Sequence, residues 1–260
     1  NDDAFATMLL MSQITADKEE LVRPLGIGEF YRLRDEVRRT GIGRLGNLIG
    51  MDVSGIRHEI EMSEREAYRL CVLLSRAMPL SYALERFSDF GIDIVTIDEP
   101  AYPERLIEKL REKAPPMLYA CGEYRLGAAP CLALLGASAK GVPEGMIARL
   151  ARRMSESGLA AVTGGEVGVG HLAEQVCARE GGELVSVLAE SLSSRILQPG
   201  ISEMIAGGRA LALSSVHPEA RYTISHALER NKCLYALSKS AVVFSCEEGR
   251  GVTWEGALSA

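Results

Sequence analysis

From Cys131 to the C-terminus, strand-sized apolar runs alternate with amphipathic stretches, and few architectures accommodate that alternation. Cys131–Leu135, Leu159–Val162, Leu184–Leu188, Ala210–Leu213 and Ala241–Cys246 read as strands. Between them, Glu144–Ser157 reads as a helix with Ile147, Leu150 and Met154 on its buried face, and His171–Arg179 reads as the next. Parallel strands need crossover connections, and helices that supply them cover both faces of the sheet. The runs are therefore continuous rather than alternating polar and apolar. The expectation is an α/β domain with a Rossmann-like parallel sheet, over residues 96–260.

Residues 1–95 carry a different period. Leu9, Leu10, Met11 and Ile14 open a helical pattern, and Phe30, Leu33 and Val37 repeat it. Gly26–Ile27–Gly28 and Gly41–Ile42–Gly43 punctuate two short helices. Ser63–Glu66 forms a capping box before a helix expected over Ala67–Met78, with Leu70, Leu73 and Leu74 on one face. The expectation is a small helical domain of helix-hairpin-helix type. A Gly-Ile-Gly turn can receive DNA phosphate on its backbone N–H groups, and it equally serves as a packing turn. Ile92–Ile97 then reads as a strand, and Pro100, Pro103, Pro115 and Pro116 mark a stiff connecting segment.

A formal net charge of −6 argues against a surface coated in cations, although a pocket needs only a few placed Lys or Arg. No apolar run approaches the roughly 20 residues of a membrane helix. Asn1–Leu10 lacks the basic start and long apolar core of a signal peptide, so the chain is expected to be soluble and cytoplasmic, with no membrane partner. Six scattered cysteines contain no C-x-x-C pair, and they read as reduced thiols. The four histidines have no metal-binding spacing, so neither a metal nor a cofactor is expected. The sequence contains no H-E-x-x-H, no Walker A motif and no Ser-His-Asp order.

In parallel sheets ligands bind beyond the carboxyl ends of the strands. Three glycine-bearing segments fall there: Gly136–Ala137–Ser138, Thr163 to Gly170, and Glu247 to Gly256. Glycine lets backbone N–H groups approach an anion, so the rim reads as phosphate-binding. It is not a dinucleotide fingerprint, because the second segment runs G-x-x-G-x-G from Gly165. Glu190 stands where a ribose-binding acid would, and equally where a solvated strand end would.

These segments resemble the DNA-processing protein A (DprA, or Smf) family. The likeness begins at Tyr102–Pro103 and Leu106 and continues through Pro115–Tyr119, Gly122, Leu135–Ser138, Thr163–Val169 and Gly181–Gly182. It ends in Arg230–Asn231–Lys232, Ala236–Ser238 and Val242–Phe244. His217–Ala220 and Thr253–Ala257 look like a divergent branch of the wider DprA/LOG superfamily. The resemblance implies a cytoplasmic homodimer, with a leading SAM-like helical domain, that binds single-stranded DNA. It also implies help in loading the RecA recombinase, a role in recombination and natural transformation, and no catalytic chemistry.

Carried over by position, Arg230 and Lys232 would pair phosphates, with Asn231 bonding to them or fixing the pocket. Gly136, Gly164, Gly165 and Gly168 would offer backbone N–H groups, and Ser138, Gly249, Gly251 and Thr253 would complete the rim. Two departures stand out. The family's Gly-Ser-Arg is Gly136–Ala137–Ser138 here, and its Gly-x-Ala-Arg-Gly-Ile-Asp run becomes Gly164–Gly165–Glu166–Val167–Gly168–Val169–Gly170, losing an arginine and an aspartate and gaining Glu166. Each lost phosphate contact removes about one released counterion, which predicts weaker binding than an arginine-rich pocket gives.

Plainer readings stand beside these. Arg230 reads equally as a helix-surface residue and Asn231 as a helix cap or turn residue. Trp254, the only tryptophan, is a core or dimer-contact aromatic or a platform for a base. Gly249–Glu255 is also similar to the Gly-Gly-x-Gly-Thr-x-x-Glu motif of LOG-type nucleotide phosphoribohydrolases. There Glu255 would stabilise an oxocarbenium-like transition state. A nucleotide-sensing module is the third alternative.

Overall fold

The computed structural model describes residues 1–13 and 22–259. Ile14 lies outside the described residues. The chain divides into two compact units.

The first unit comprises Asn1–Tyr102 with Glu112–Met117. Its elements are α1 (Asp2–Met11), α2 (Ile27–Arg39), a 3₁₀ turn (Leu45–Leu48), α3 (Val53–Glu59), α4 (Glu64–Leu74), α5 (Ala77–Asp89) and the short β1 (Asp93–Thr96). Leu9, Leu10, Phe30, Leu48, Ile56 and Leu73 form its core.

The Ser63–Glu66 capping box opens α4, yet the helix ends at Leu74 and not at Met78. At the break Arg76 turns inward, and its guanidinium donates to the carbonyls of Leu9 and Ser12 at the end of α1. Those carbonyls have no intrahelical partner, so a buried cation there completes α1 at the expense of continuing α4. Gly26 is the N-cap of α2, and the Glu29 carboxylate accepts its N–H at 2.7 Å. The Gly26–Ile27–Gly28 sequence is thus the start of a helix, with its own side chain in the anion position.

The second unit comprises Pro103–Arg111 and Leu118 onward. In chain order it contains α6 (Glu104–Leu110), β2 (Met117–Gly122), β3 (Cys131–Gly136), α7 (Glu144–Glu156), β4 (Ala160–Thr163), α8 (Val169–Glu180) and β5 (Leu184–Leu188). There follow α9 (Leu192–Ile196), α10 (Pro199–Ala206), β6 (Ala210–Ser214), α11 (Ile224–Leu237), β7 (Ser240–Ser245) and α12 (Val252–Ser259). Its strands lie in the order β2-β6-β5-β4-β3-β7. This is the Rossmann-like α/β sheet expected from the sequence.

The sheet is parallel from β7 through β6, but β2 runs antiparallel to β6, with Tyr119 opposite Ser214. β2 directly follows the segment that the prolines mark as a connector. An antiparallel strand needs no crossover helix, so the βα alternation carries no sign of it. β3 to β6 are buried along almost their whole length. The chain steps from β3 to β6 in one direction, and α11 then carries it back to place β7 on the other side of β3. That reversal is a topological switch point, and the carboxyl ends of β3, β4 and β7 meet around it.

Among the described residues, no helix is long and apolar enough to cross a membrane.

Candidate anion site at the strand ends

β3 and β7 are tied together at their ends. The Ala137 N–H donates to the Ser245 carbonyl (2.9 Å), and the Ser138 N–H donates to Ser245 Oγ (3.0 Å). The Ser245 hydroxyl returns a bond to the Ser138 carbonyl at 2.6 Å. The first N–H groups beyond Gly136 are therefore engaged within the protein. Gly136 itself allows close helix-to-strand packing, because a Cβ there would run into the Val169 side chain of α8.

Beyond β4, the chain passes through Gly164–Gly165–Glu166–Val167–Gly168 into α8. Gly168 is the N-cap of α8 with φ of 126°, a conformation that side chains other than glycine rarely adopt. The Glu166 carboxylate folds back over the first turn of that helix, where a Cβ on Gly170 would lie 3.1 Å from it. A carboxylate is favourable there because the helix N-terminus carries partial positive charge.

Arg230 reaches this loop from α11. It is only 5% exposed, and its Nη1 donates to Glu166 Oε2 at 2.8 Å. The guanidinium lies on the Gly164 backbone, occupying the space a Cβ would need. Arg230 is therefore not a helix-surface residue. Nor is Asn231 a cap or turn residue. It lies in mid-helix, 3% exposed, and its Nδ2 donates to the Val252 carbonyl at the start of α12 (2.8 Å). Lys232 is two residues beyond Arg230, about 200° around the helix axis. It is half-buried on another face, where Nζ bonds to Glu229 Oε1 at 2.6 Å. The expected pair of cations facing one hollow is thus reduced to Arg230 alone.

The third glycine segment forms a closed turn. Glu247 and Arg250 bridge it through their backbones and as an ion pair, with Gly249 and Gly251 at positive φ. Thr253 and Trp254 are half-buried on α12, and Glu255 is exposed with its N–H bonded to the Gly251 carbonyl (3.0 Å). The Gly249–Glu255 motif is therefore a turn running into a helix. Glu190 is exposed beyond β5.

A buried polar network behind the loop escapes the motif reading. Glu174 of α8 is 3% exposed and accepts from Thr163 Oγ1 (2.9 Å), Ser186 Oγ (2.6 Å) and the Arg195 guanidinium. Arg195 also donates to Gln198 Oε1 at 2.8 Å. Burial lowers the pKa of Arg195, and the nearby Glu166 charge partly offsets that. Burial, then the Arg195 charge, push the His171 imidazole below its ordinary range. The sequence does hold a trace of the network. Glu174 falls on the same helical stripe as Val169, Ala173, Val176 and Cys177, where an unpaired acid would be costly. Among the described residues, no group of His, Cys, Asp and Glu could hold a metal ion.

The family model described as DNA recombination-mediator protein A matches residues 93–258. The chain belongs to that family. The match contains every strand and all three glycine segments of the rim. Among solved structures, DNA processing protein A (DprA) from Streptococcus pneumoniae is similar, with a TM-score of 0.56 at 17% identity. The likeness covers 90% of this chain and 83% of that one. DNA processing protein A from Helicobacter pylori, whose structure was described for its single-stranded DNA binding mode, gives a TM-score of 0.52 at 20% identity. There the likeness covers 66% of this chain and 76% of the other. At these identities the two structures share the fold. No curated protein matches the chain.

Proposed function

We propose that the chain binds single-stranded DNA through the strand-end rim of its second unit, as a cytoplasmic homodimer that helps load a RecA-type recombinase. One observation carries this reading. At the switch point, a buried arginine lies directly on the glycine loop that opens α8, in a chain that belongs to a DNA recombination family. A guanidinium suits a phosphodiester, which it can bind through paired, charge-assisted hydrogen bonds. The role needs no nucleophile and no cofactor, because its chemistry is recognition of the DNA backbone.

The test is a titration of labelled oligothymidylate across a salt series. Affinity should fall linearly with log salt, by a slope of roughly 0.7 for each phosphate bound by a single strand. Arg230→Ala should weaken binding and flatten that slope, and Arg230→Lys should recover only part of it. Binding of a mononucleotide without binding of the oligonucleotide would instead establish a nucleotide sensor. Release of free base from a nucleoside monophosphate, lost in Glu255→Gln, would establish a hydrolase.

A further inference from the structure

Arg230 is one of two arginines at the Gly164–Gly165 turn. A Cβ on Gly165 would lie 3.2 Å from Arg195 Nη2, while the space beside Gly164 is filled by the Arg230 guanidinium. Each arginine keeps one buried Nε–H with no hydrogen-bond partner. Buried donors are rarely left in that state, and each calls for an acceptor. The remaining donors are set differently. Arg195 is anchored from behind by Glu174 and Gln198, both outside the loop. Arg230 is held from the loop itself, by Glu166.

Glu166 is the less fixed of the two acids. It is 26% exposed on its side chain, against 3% for Glu174. It also sits between Gly165 and Gly168, both at positive φ, next to a Val167 that is 92% exposed. The loop can swing this carboxylate into water without disturbing the core, whereas Glu174 cannot leave without breaking bonds to two strands.

We propose that Arg195 and Arg230 form a two-arginine clamp for one phosphodiester group at the Gly164–Gly165 turn, and that Glu166 is the internal carboxylate the phosphate must displace. This rests on the reading of the rim as a single-stranded DNA site, and it adds a second cation and a built-in competitor to that site. With Glu166 in place the four side chains sum to zero charge. With it displaced, Arg195 and Arg230 stand against Glu174 alone, so the turn gains a net charge of +1 and the Arg230 guanidinium loses its partner. The competitor sets a threshold: a polyanion that gains further contacts along its length can pay it, and a free monoanion cannot. A cleft of about 270 Å³ lined by His171, Glu174, Gln175, Gln198 and Pro199 opens at Glu174 and Gln198, the two partners of Arg195.

The experiment titrates wild type, Glu166→Gln and Arg195→Lys with labelled oligothymidylate, and separately with inorganic pyrophosphate, across a salt series. Glu166→Gln keeps the shape and removes the charge, so it should bind both probes roughly three- to tenfold more tightly at low salt, with a steeper salt slope for the oligonucleotide. Arg195→Lys leaves Glu174 a cation but removes the fork, and should weaken oligonucleotide binding by a similar factor. If Arg195→Lys fails to fold, the gain in Glu166→Gln decides alone. Oligonucleotide binding with the same affinity and slope in wild type and Glu166→Gln would overturn the clamp and leave the DNA reading standing. Tighter pyrophosphate binding by Glu166→Gln, with no oligonucleotide bound by any variant, would support the clamp and overturn the DNA reading.

Discussion

Arg230 Nη1 occupies the volume in which a side chain on Gly164 would begin, so α11 and the β4 loop can close only because residue 164 has none. Gly164→Ala should therefore do more than add a methyl group. It should expel the guanidinium, break the pair with Glu166, and cost about 1–3 kcal/mol as overpacking does. In an Arg230→Ala background only the flexible end of Glu166 still crowds the new Cβ, and the same change should cost less. A double-mutant cycle read by urea unfolding should give a coupling of about 1 kcal/mol or more. Additive losses would show that the two residues do not share the space.

Arg195 and Glu174 form a pair of another kind, enclosed between β4, β5 and α8. Arg195→Ala leaves a carboxylate, 3% exposed, with two hydroxyl donors and no cation. Breaking a buried pair from one side typically costs about 3–5 kcal/mol, and replacing both partners by apolar residues of similar volume is often neutral. The urea midpoint should fall sharply in Arg195→Ala at unchanged slope, and recover in part in Arg195→Met with Glu174→Leu, where the Thr163 and Ser186 hydroxyls still lose their acceptor.

How far these features could be read from the sequence depended on how local their causes are. Leu184–Leu188 is legible because a strand covered on both faces must be apolar throughout, and its bounds in the fold are the ones expected. The glycine rim is legible for the same reason, since each segment directly follows such a run. The break between α4 and α5 is not, because Arg76 is drawn to carbonyls more than 60 residues earlier in the chain. The separation of Lys232 from Arg230 follows from helix geometry alone, once residues 224–237 are known to be helical throughout. The pairing of Arg230 with Glu166 spans 64 residues, and no local spacing encodes it. Arg195 lies outside every motif, and only its burial against Gly165 brings it to the site.

In the first unit, Glu29 supplies a pH dependence. The hydrogen bond from Arg69, opposed by burial and supported by the Gly26 N–H, holds its carboxyl down at about 2, below its ordinary 4.5. A depressed folded-state pKa means the stabilisation is complete above the unfolded value and is lost as pH falls toward 2. Solvent screening limits it to about 1 kcal/mol. Urea midpoints followed from pH 5 downward should fall less steeply in Glu29→Gln than in wild type. Parallel curves would mean the Arg69 contact contributes nothing.

Asn231 separates a polar tether from simple packing. Its Nδ2 donates to the Val252 carbonyl and lies close to Gly256, so it fastens the first turn of α12 to the middle of α11. Asn231→Ala removes the donor and should cost about 1–2 kcal/mol, with faster amide exchange across Val252–Ser259 than across α11. Asn231→Asp keeps the shape but turns an acceptor toward that carbonyl and buries a charge. It should be the more damaging of the two, although it is the closer in volume. If packing alone held α12, the order would reverse, with Asp near wild type and Ala the poorer. Unfolding midpoints and exchange rates of the two variants, measured side by side at neutral pH, decide between these outcomes.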